Sequence, residues 1–290
     1  MGKKIFLYIF LPILNENTFK KTFLNYLKYF FYGIIQGLTE FLPISSSAHL
    51  KVLSEFFGLQ DPGSSVSAIV QISSVLALLI YFRKDIRTIN SITFVNNYLY
   101  KNKIIKSILL GSISIIFLGG FFKFIIPQFY ESHLRSNILI GIISILTALL
   151  MYLSQLTKNK NISLENHTFF NSFLIGLAQS LAIIPGVSRS GITITVALLL
   201  GWKRVDAAKF SFMLGIPAIS LAAFVEILSA IKDNLFISYG PLFVALISAF
   251  ITSYFSIIFL IRYISLRGLK IFIFYKLFFG LLILFMEFYK

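Results

Sequence analysis

Apolar runs of about twenty residues recur along this chain, and no other feature restricts its fold so tightly. A run of that length crosses a bilayer core as a helix, whereas a soluble domain built from such runs would expose large sticky patches. The runs fall near residues 66–82, 107–126, 138–154, 211–231, 240–262 and 270–287. Each must be helical, because lipid offers unpaired backbone groups no partner. Composition agrees: 57% of the 290 residues are hydrophobic and only 13% are charged. The expectation is an all-α, polytopic membrane protein with about six full transmembrane helices.

The formal net charge is +15, and the Lys and Arg residues gather in the gaps between apolar runs. No basic, aromatic-interleaved soluble domain is present, so nucleic acid is excluded as a partner. Loops facing the cytoplasm and anionic lipid headgroups account for the charge instead. The chain has no cysteine, which excludes disulfides, thiolate catalysis and Cys-based zinc sites. The stretch "KKIFLYIFLPIL", residues 3–14, has an apolar core of about ten residues and no small-residue cleavage site after it, so it reads as an extension or interfacial segment. Residues 1–22 are accordingly set apart, and 23–290 form one membrane domain with halves at about 23–130 and 131–290.

Two apolar regions behave differently from the rest. Residues 23–58 and 170–201 are interrupted by "LPISSS" and "IPGVSRSG", and their flanking halves are too short or too broken for two ordinary spans. Such pairs suggest re-entrant helical hairpins with polar tips inside the membrane. Shifting the first by 143 positions aligns Gly33, Gln36, Leu38, Ser45 and Ser47 with Gly176, Gln179, Leu181, Ser188 and Ser190. Arg83, Lys84, Arg87, Lys101, Lys103 and Lys106 place the gap 83–106 inside, whereas 127–137 carries only Arg135 and belongs outside. Lys158 and Lys160 place 155–169 inside, and Lys203, Arg204 and Lys209 do the same for 202–210. The second hairpin therefore enters from the cytoplasm and, by alternation, the first from outside: an inverted repeat. Lys20, Lys21 and Lys28 resist this orientation, since they would lie at the external face.

The breaks also carry the chemistry. Gln36 and Glu40, four apart, share a helix face. A carboxylate in apolar surroundings costs about 2.5–3.5 kcal/mol on insertion scales, which marks Glu40 as functional. Ser46 follows as a nucleophile that a base could activate, and His49, the one histidine of three in an apolar context, as an acid–base group or phosphate ligand. Ser45 and Ser47 read equally well as helix caps. In "PGVSRSGIT", residues 185–193, Arg189 needs an anionic ligand or a carboxylate; the alternative to phosphate binding is a structural ion pair with Glu40. Ser188, Ser190, Thr193 and the N–H groups of a starting helix would surround a phosphate. Gly33 and Gly37 read as close helix packing, and Lys123 and Glu226 as side chains snorkelling near span ends. No HExxH, Walker A or GxSxG pattern occurs, and His133 and His167, in loops, carry no role.

With "QGLTEFLPISSSAHL" and "PGVSRSGIT" both in view, the chain resembles the undecaprenyl-diphosphatase family, the bacitracin-resistance membrane phosphatases, from about residue 25 to its end. The family's first signature has Glu or Gln, three residues, then Glu; here these are Gln36 and Glu40, so one carboxylate is absent. The resemblance implies an inner-membrane enzyme, its active site facing the periplasm, that releases phosphate from undecaprenyl diphosphate for recycling of the peptidoglycan lipid carrier. It implies catalytic Glu40, Ser46, His49 and Arg189, and substrate contacts from Gln36, Ser45, Ser188, Ser190 and Thr193. A divalent cation, Mg²⁺ or Ca²⁺, on Glu40 and contact with membrane lipids are expected, with a homodimer left open. The phosphatases whose Ser-Arg is followed by a downstream His are excluded, because no His follows Arg189. A flippase or transporter on the same inverted repeat is the alternative function.

Overall fold

The computed structural model describes residues 16–56, 63–84, 95–125, 128, 133–158, 160–232 and 239–289. Segment 3–14, Arg87 and the side chains of Lys101 and Lys123 lie outside the described residues. Ten α-helices carry the fold among those described: α1 (Glu16–Phe41), α2 (Ser46–Phe56), α3 (Gly63–Tyr81), α4 (Val95–Gly120), α5 (Asn137–Leu156), α6 (Phe169–Ser180), α7 (Arg189–Leu199), α8 (Arg204–Lys232), α9 (Tyr239–Arg267) and α10 (Lys270–Phe288). A π-helical turn at Phe121–Ile125 extends α4, and a 3₁₀ turn at Leu181–Ile183 tightens the end of α6. No β-ladder longer than a single bridge occurs among the described residues.

Five helices are long and apolar enough to cross a membrane: 102–120 within α4, α5, 204–229 within α8, α9 and α10. A sixth, α3, has 19 residues and spans about 28 Å at the usual helical rise. Many large apolar side chains on these helices point outward, among them Phe117, Phe243, Phe255 and Phe274. That outward apolar face suits lipid and not water. The chain is an all-α, multi-pass membrane protein.

The six expected spans correspond to helices α3, α4, α5, α8, α9 and α10, several of which run on past the apolar core into charged ends. The first broken region differs from its expectation. Its leading arm is not a short half: α1 runs unbroken for 26 residues and begins at Glu16, inside the stretch read as an extension. Tertiary packing extends it, since α1 lies along α9 in the most extensive helix–helix contact of the fold. The hydroxyl of Ser248 on α9 donates to the Phe30 carbonyl of α1 at 3.1 Å.

The two helix pairs open at opposite ends of the bundle. At one end the loop before α6 pairs with the turn after α7: Ile162 N–H donates to the Gly201 carbonyl at 3.0 Å and Lys203 N–H to the Ile162 carbonyl at 2.8 Å. The α9–α10 turn lies there too, with Leu269 N–H bonded to Gln155 at 3.3 Å. This end carries the basic connections 155–169 and 202–210. At the other end α1 runs parallel to α9 from its start, and α2 finishes beside the head of α5, where the Asn137 amide donates to Glu55 at 2.6 Å. Lys20, Lys21 and Lys28 lie on the part of α1 nearest this second end and are exposed.

The aligned positions of the two broken regions behave alike. Gly33 lies against the main chain of α9 at Ala245, and Gly176 against that of α4 at Gly111; in both places a Cβ would collide with backbone. Each hairpin's first arm therefore packs on a long helix of the other half, α1 on α9 and α6 on α4. Gln36 and Gln179 are both fully buried. Ser45 and Ser188 both take a positive φ, 77° and 67°, which is rare for a residue with a side chain. In each tip the left-handed serine lies 3.3 Å from the serine two residues on.

Candidate active site

Proline ends the first arm of each hairpin, followed by glycine in the second, and a new helix starts just beyond. After Pro43 the chain turns at Ser45 and α2 begins at Ser46; after Pro185 and Gly186 it turns at Ser188 and α7 begins at Arg189. Gly186 has φ 98°, and a Cβ there would also press on the Ile140 carbonyl, so a side chain is doubly excluded. Ser188 caps α7, its hydroxyl accepting from Gly191 N–H at 3.2 Å. The starts of α2 and α7 face one another across the tips, so the positive ends of two helices converge.

The tips touch directly. Gly186 N–H donates to the Ser45 hydroxyl at 3.1 Å, and the Ser190 hydroxyl to the Leu42 carbonyl at 3.3 Å. At the centre lies Glu40. One carboxylate oxygen accepts from Arg189 Nη2 at 2.9 Å. The other accepts from the Ser46 hydroxyl and from Gln36 Nε2, each at 2.8 Å. The Arg189 and Glu40 side chains are only 10% and 8% exposed. A carboxylate and a guanidinium at that burial hold their charges only because each faces the other and the carboxylate collects further donors. Two polar atoms of this cluster remain without partners, Arg189 Nη1 and Gln36 Oε1. Arg189 Nη1 sits over Gly215 of α8, in space that a side chain at 215 would fill. Ser46 is partly accessible and Ser47 exposed, so the cluster is open on this side.

Two of the expected site residues take other places. The His49 ring has both nitrogens engaged, Nδ1 with the Ser45 carbonyl at 2.7 Å and Nε2 with the Tyr275 hydroxyl at 2.6 Å. It stacks on Phe279 with ring centres 4.0 Å apart. His49 thus braces the first tip from behind, with both ring nitrogens bonded in this structure. Thr193 is buried in the α7–α8 seam, with its hydroxyl 2.6 Å from that of Ser211 and donating to the Arg189 carbonyl at 2.8 Å. Gly215 and Lys276 are the residues the motifs did not point to. A lone Lys in the middle of the apolar helix "KIFIFYKLFFGLLILFMEF" is a signal of its own, since an intramembrane cation needs a reason.

No group of three or more His, Cys, Asp or Glu residues suited to a metal occurs among the described residues. The described residues do not build a metal cage by themselves. They offer Glu40 and, beside it, the unpartnered carbonyl oxygen of Gln36.

Comparison with known proteins places this geometry in a family. The family model described as bacitracin resistance protein BacA matches residues 29–282, which takes in both tips and every long helix except the start of α1 and the end of α10. A protein of Prochlorococcus marinus (strain MIT 9515) named undecaprenyl-diphosphatase is 55% identical over 263 residues, 90% of this chain and 99% of the relative. Another of the same name from Prochlorococcus marinus (strain MIT 9303) is 40% identical over 257 residues, 87% of this chain and 88% of the relative. With two serine-bearing tips joined through Glu40 and Arg189, and with this match along most of its length, the chain belongs to the bacitracin resistance protein BacA family.

Proposed function

We infer that this protein is an undecaprenyl-diphosphate phosphatase, a hydrolase that returns the lipid carrier as its monophosphate. The observation that carries its mechanism is the Ser46–Glu40–Arg189 chain: a hydroxyl donating to a carboxylate at 2.8 Å, and that carboxylate paired with a guanidinium at 2.9 Å. Nucleophile and base are in contact, and the base is oriented by a third group. A flippase needs no such arrangement. An outward apolar surface beside the tips suits an isoprenoid tail, and two helix starts with Arg189 suit its diphosphate.

In the proposed reaction the diphosphate draws Arg189 away from Glu40 and onto its oxygens, which also gives Nη1 an acceptor. The freed carboxylate takes the proton of Ser46 as its oxygen attacks the terminal phosphorus. The bond from that phosphorus to the bridging oxygen breaks, and undecaprenyl phosphate leaves. Glu40 passes its proton to the departing undecaprenyl phosphate. Water then attacks the phosphoserine; Glu40 takes the water's proton and returns it to the Ser46 oxygen as the bond from that oxygen to phosphorus breaks, and orthophosphate departs. Positioning and charge stabilisation supply most of the acceleration in such transfers. Ser45 and Ser190, which already cross-link the tips, and Ser188, which caps α7, hold the two helix starts around the phosphates. A divalent cation, Mg²⁺ or Ca²⁺, fits as a companion of the diphosphate: hard cations of this kind bind through one or two protein oxygens plus phosphate oxygens. Glu40 and Gln36 Oε1 would hold it, and it would neutralise phosphate charge.

The first hairpin opens at the end opposite the basic connections. Under the positive-inside rule that end faces the periplasm of an inner membrane, and we propose that substrate enters from there. Rapid-quench turnover of purified protein tests the mechanism. A burst of undecaprenyl phosphate ahead of orthophosphate, with phosphate on Ser46 by mass spectrometry, is expected. Simultaneous release of both products with Ser46 unmodified would replace the serine by a directly attacking water.

A further inference from the structure

Lys276 is fully buried in the middle of α10. Its ammonium donates to the Val187 carbonyl at 2.6 Å and to the Thr147 hydroxyl of α5. No carboxylate accompanies it among the described residues. A charge held in such a place without a counter-ion is expensive, and a Met or Leu would fill the same space without that cost. What the cation touches points to its use. Val187 is the residue before Ser188, and Ser188 is the left-handed residue that starts the helix bearing Arg189.

The orientation of the peptide between Val187 and Ser188 is what a positive φ at Ser188 requires. In that conformation the Val187 carbonyl points to the side opposite from the one it would take at negative φ, and something must hold it there. Lys276 holds the oxygen end of this peptide. On the far side, Gly191 N–H holds the Ser188 side chain at 3.2 Å, and Gly186 N–H is anchored to Ser45 at 3.1 Å. The neighbouring residue of α10 serves the other tip: Tyr275 binds His49, and His49 binds the carbonyl of Ser45, the second left-handed serine. One turn of α10 thus reaches both tips.

We propose that Lys276 is a positioning residue for phosphoryl transfer: it pins the Val187–Ser188 peptide and so sets the direction in which Arg189 projects toward Glu40. The proposal rests on the phosphatase reading above, and it needs two readouts so that each can fail alone.

The experiment compares Lys276→Met, Lys276→Arg, Ser188→Gly and the Lys276→Met/Ser188→Gly double variant with wild type in detergent. Glycine adopts a positive φ without strain, so the pin matters less when Ser188 is replaced by glycine. Lys276→Met is expected to lower kcat by about a hundredfold, the loss attached to a displacement of about 1 Å in a reacting group, with KM changed far less. Lys276→Arg keeps a donor for the carbonyl and is expected to recover most of kcat. In the Ser188→Gly background the loss caused by Lys276→Met should shrink to about threefold or less, a coupling that independent sites do not show. The second readout is hydrogen exchange of the Gly186 and Gly191 amides, which needs no substrate; both should exchange faster in Lys276→Met, and Gly186 should recover in the double variant, where Gly191 N–H has lost its Ser188 acceptor. Equal losses from Lys276→Met in the wild-type and Ser188→Gly backgrounds, or unchanged exchange at Gly186 and Gly191, overturns the proposal. Wild type that releases no phosphate overturns the phosphatase reading instead, and the exchange data still decide the role of Lys276. Should Lys276→Met fail to fold, Lys276→Leu, which likewise removes the donor, takes its place with the same expectations.

Discussion

Replacing Glu40 by Gln separates chemistry from binding in a way that a simple loss of contacts would not. The substitution keeps the volume and one acceptor oxygen but removes the charge opposite Arg189, 2.9 Å away and similarly buried. Removing one partner of a buried pair typically destabilises by about 3–5 kcal/mol, because the other charge is left uncompensated. A bound phosphate supplies the missing negative charge. Glu40→Gln should therefore melt well below wild type in phosphate-free detergent and regain much of the difference when pyrophosphate is added. Binding should tighten, since Arg189 no longer has to leave a carboxylate to reach the ligand; about 1.4 kcal/mol of relief would lower the pyrophosphate dissociation constant tenfold. Turnover should fall by about 10²–10⁴, the usual contribution of a positioned base. The assays are phosphate release from undecaprenyl diphosphate, thermal unfolding with and without pyrophosphate, and competition by pyrophosphate. A Glu40→Gln variant that turns over within tenfold of wild type, or one that binds pyrophosphate more weakly, would refute the reasoning that Glu40 is both base and gate for Arg189.

Ser46→Ala should abolish the product burst while the protein still melts within a few degrees of wild type, because the lost bond is one partly exposed hydroxyl; a surviving burst excludes Ser46 as nucleophile. Arg189→Lys should lose about 10²–10³ of turnover, the scale of one lost transition-state donor, as a point charge cannot serve carboxylate and phosphate together; near-normal rates would make the Glu40 pair purely structural. Gly176→Val should destabilise by about 1–3 kcal/mol because the new Cβ meets the Gly111 main chain, read as a lower unfolding midpoint in detergent; an unchanged midpoint would mean α4 and α6 are not in contact there. Thr193→Val should lower stability by about 1 kcal/mol and leave KM unchanged; a raised KM would return Thr193 to the phosphate site.

The sequence determined the class of fold, because solvent decides it: apolar stretches of bilayer length admit helices and nothing else. It also singled out two charges that the fold then brings together. Glu40 and Arg189 are charges in apolar neighbourhoods, tolerable only as partners or ligand groups, and the 143-residue shift that aligns Ser45 with Ser188 was legible before both proved to be left-handed. Local patterning could not say how long the first arm is. The run of α1 from Glu16 depends on α9, more than two hundred residues away, and polar residues such as Lys20 hide that continuation from any hydropathy argument. Nor could it assign His49 or Thr193, which were read by proximity in sequence to Glu40 and Arg189. On a helix, direction matters as much as distance, and the starts of α2 and α7 turn those two side chains toward Tyr275 and Ser211 and away from the carboxylate. Tertiary structure alone decided that Lys276 belongs to the second tip: its place is fixed by α10 packing along α5, and no local rule relates residue 276 to residue 187.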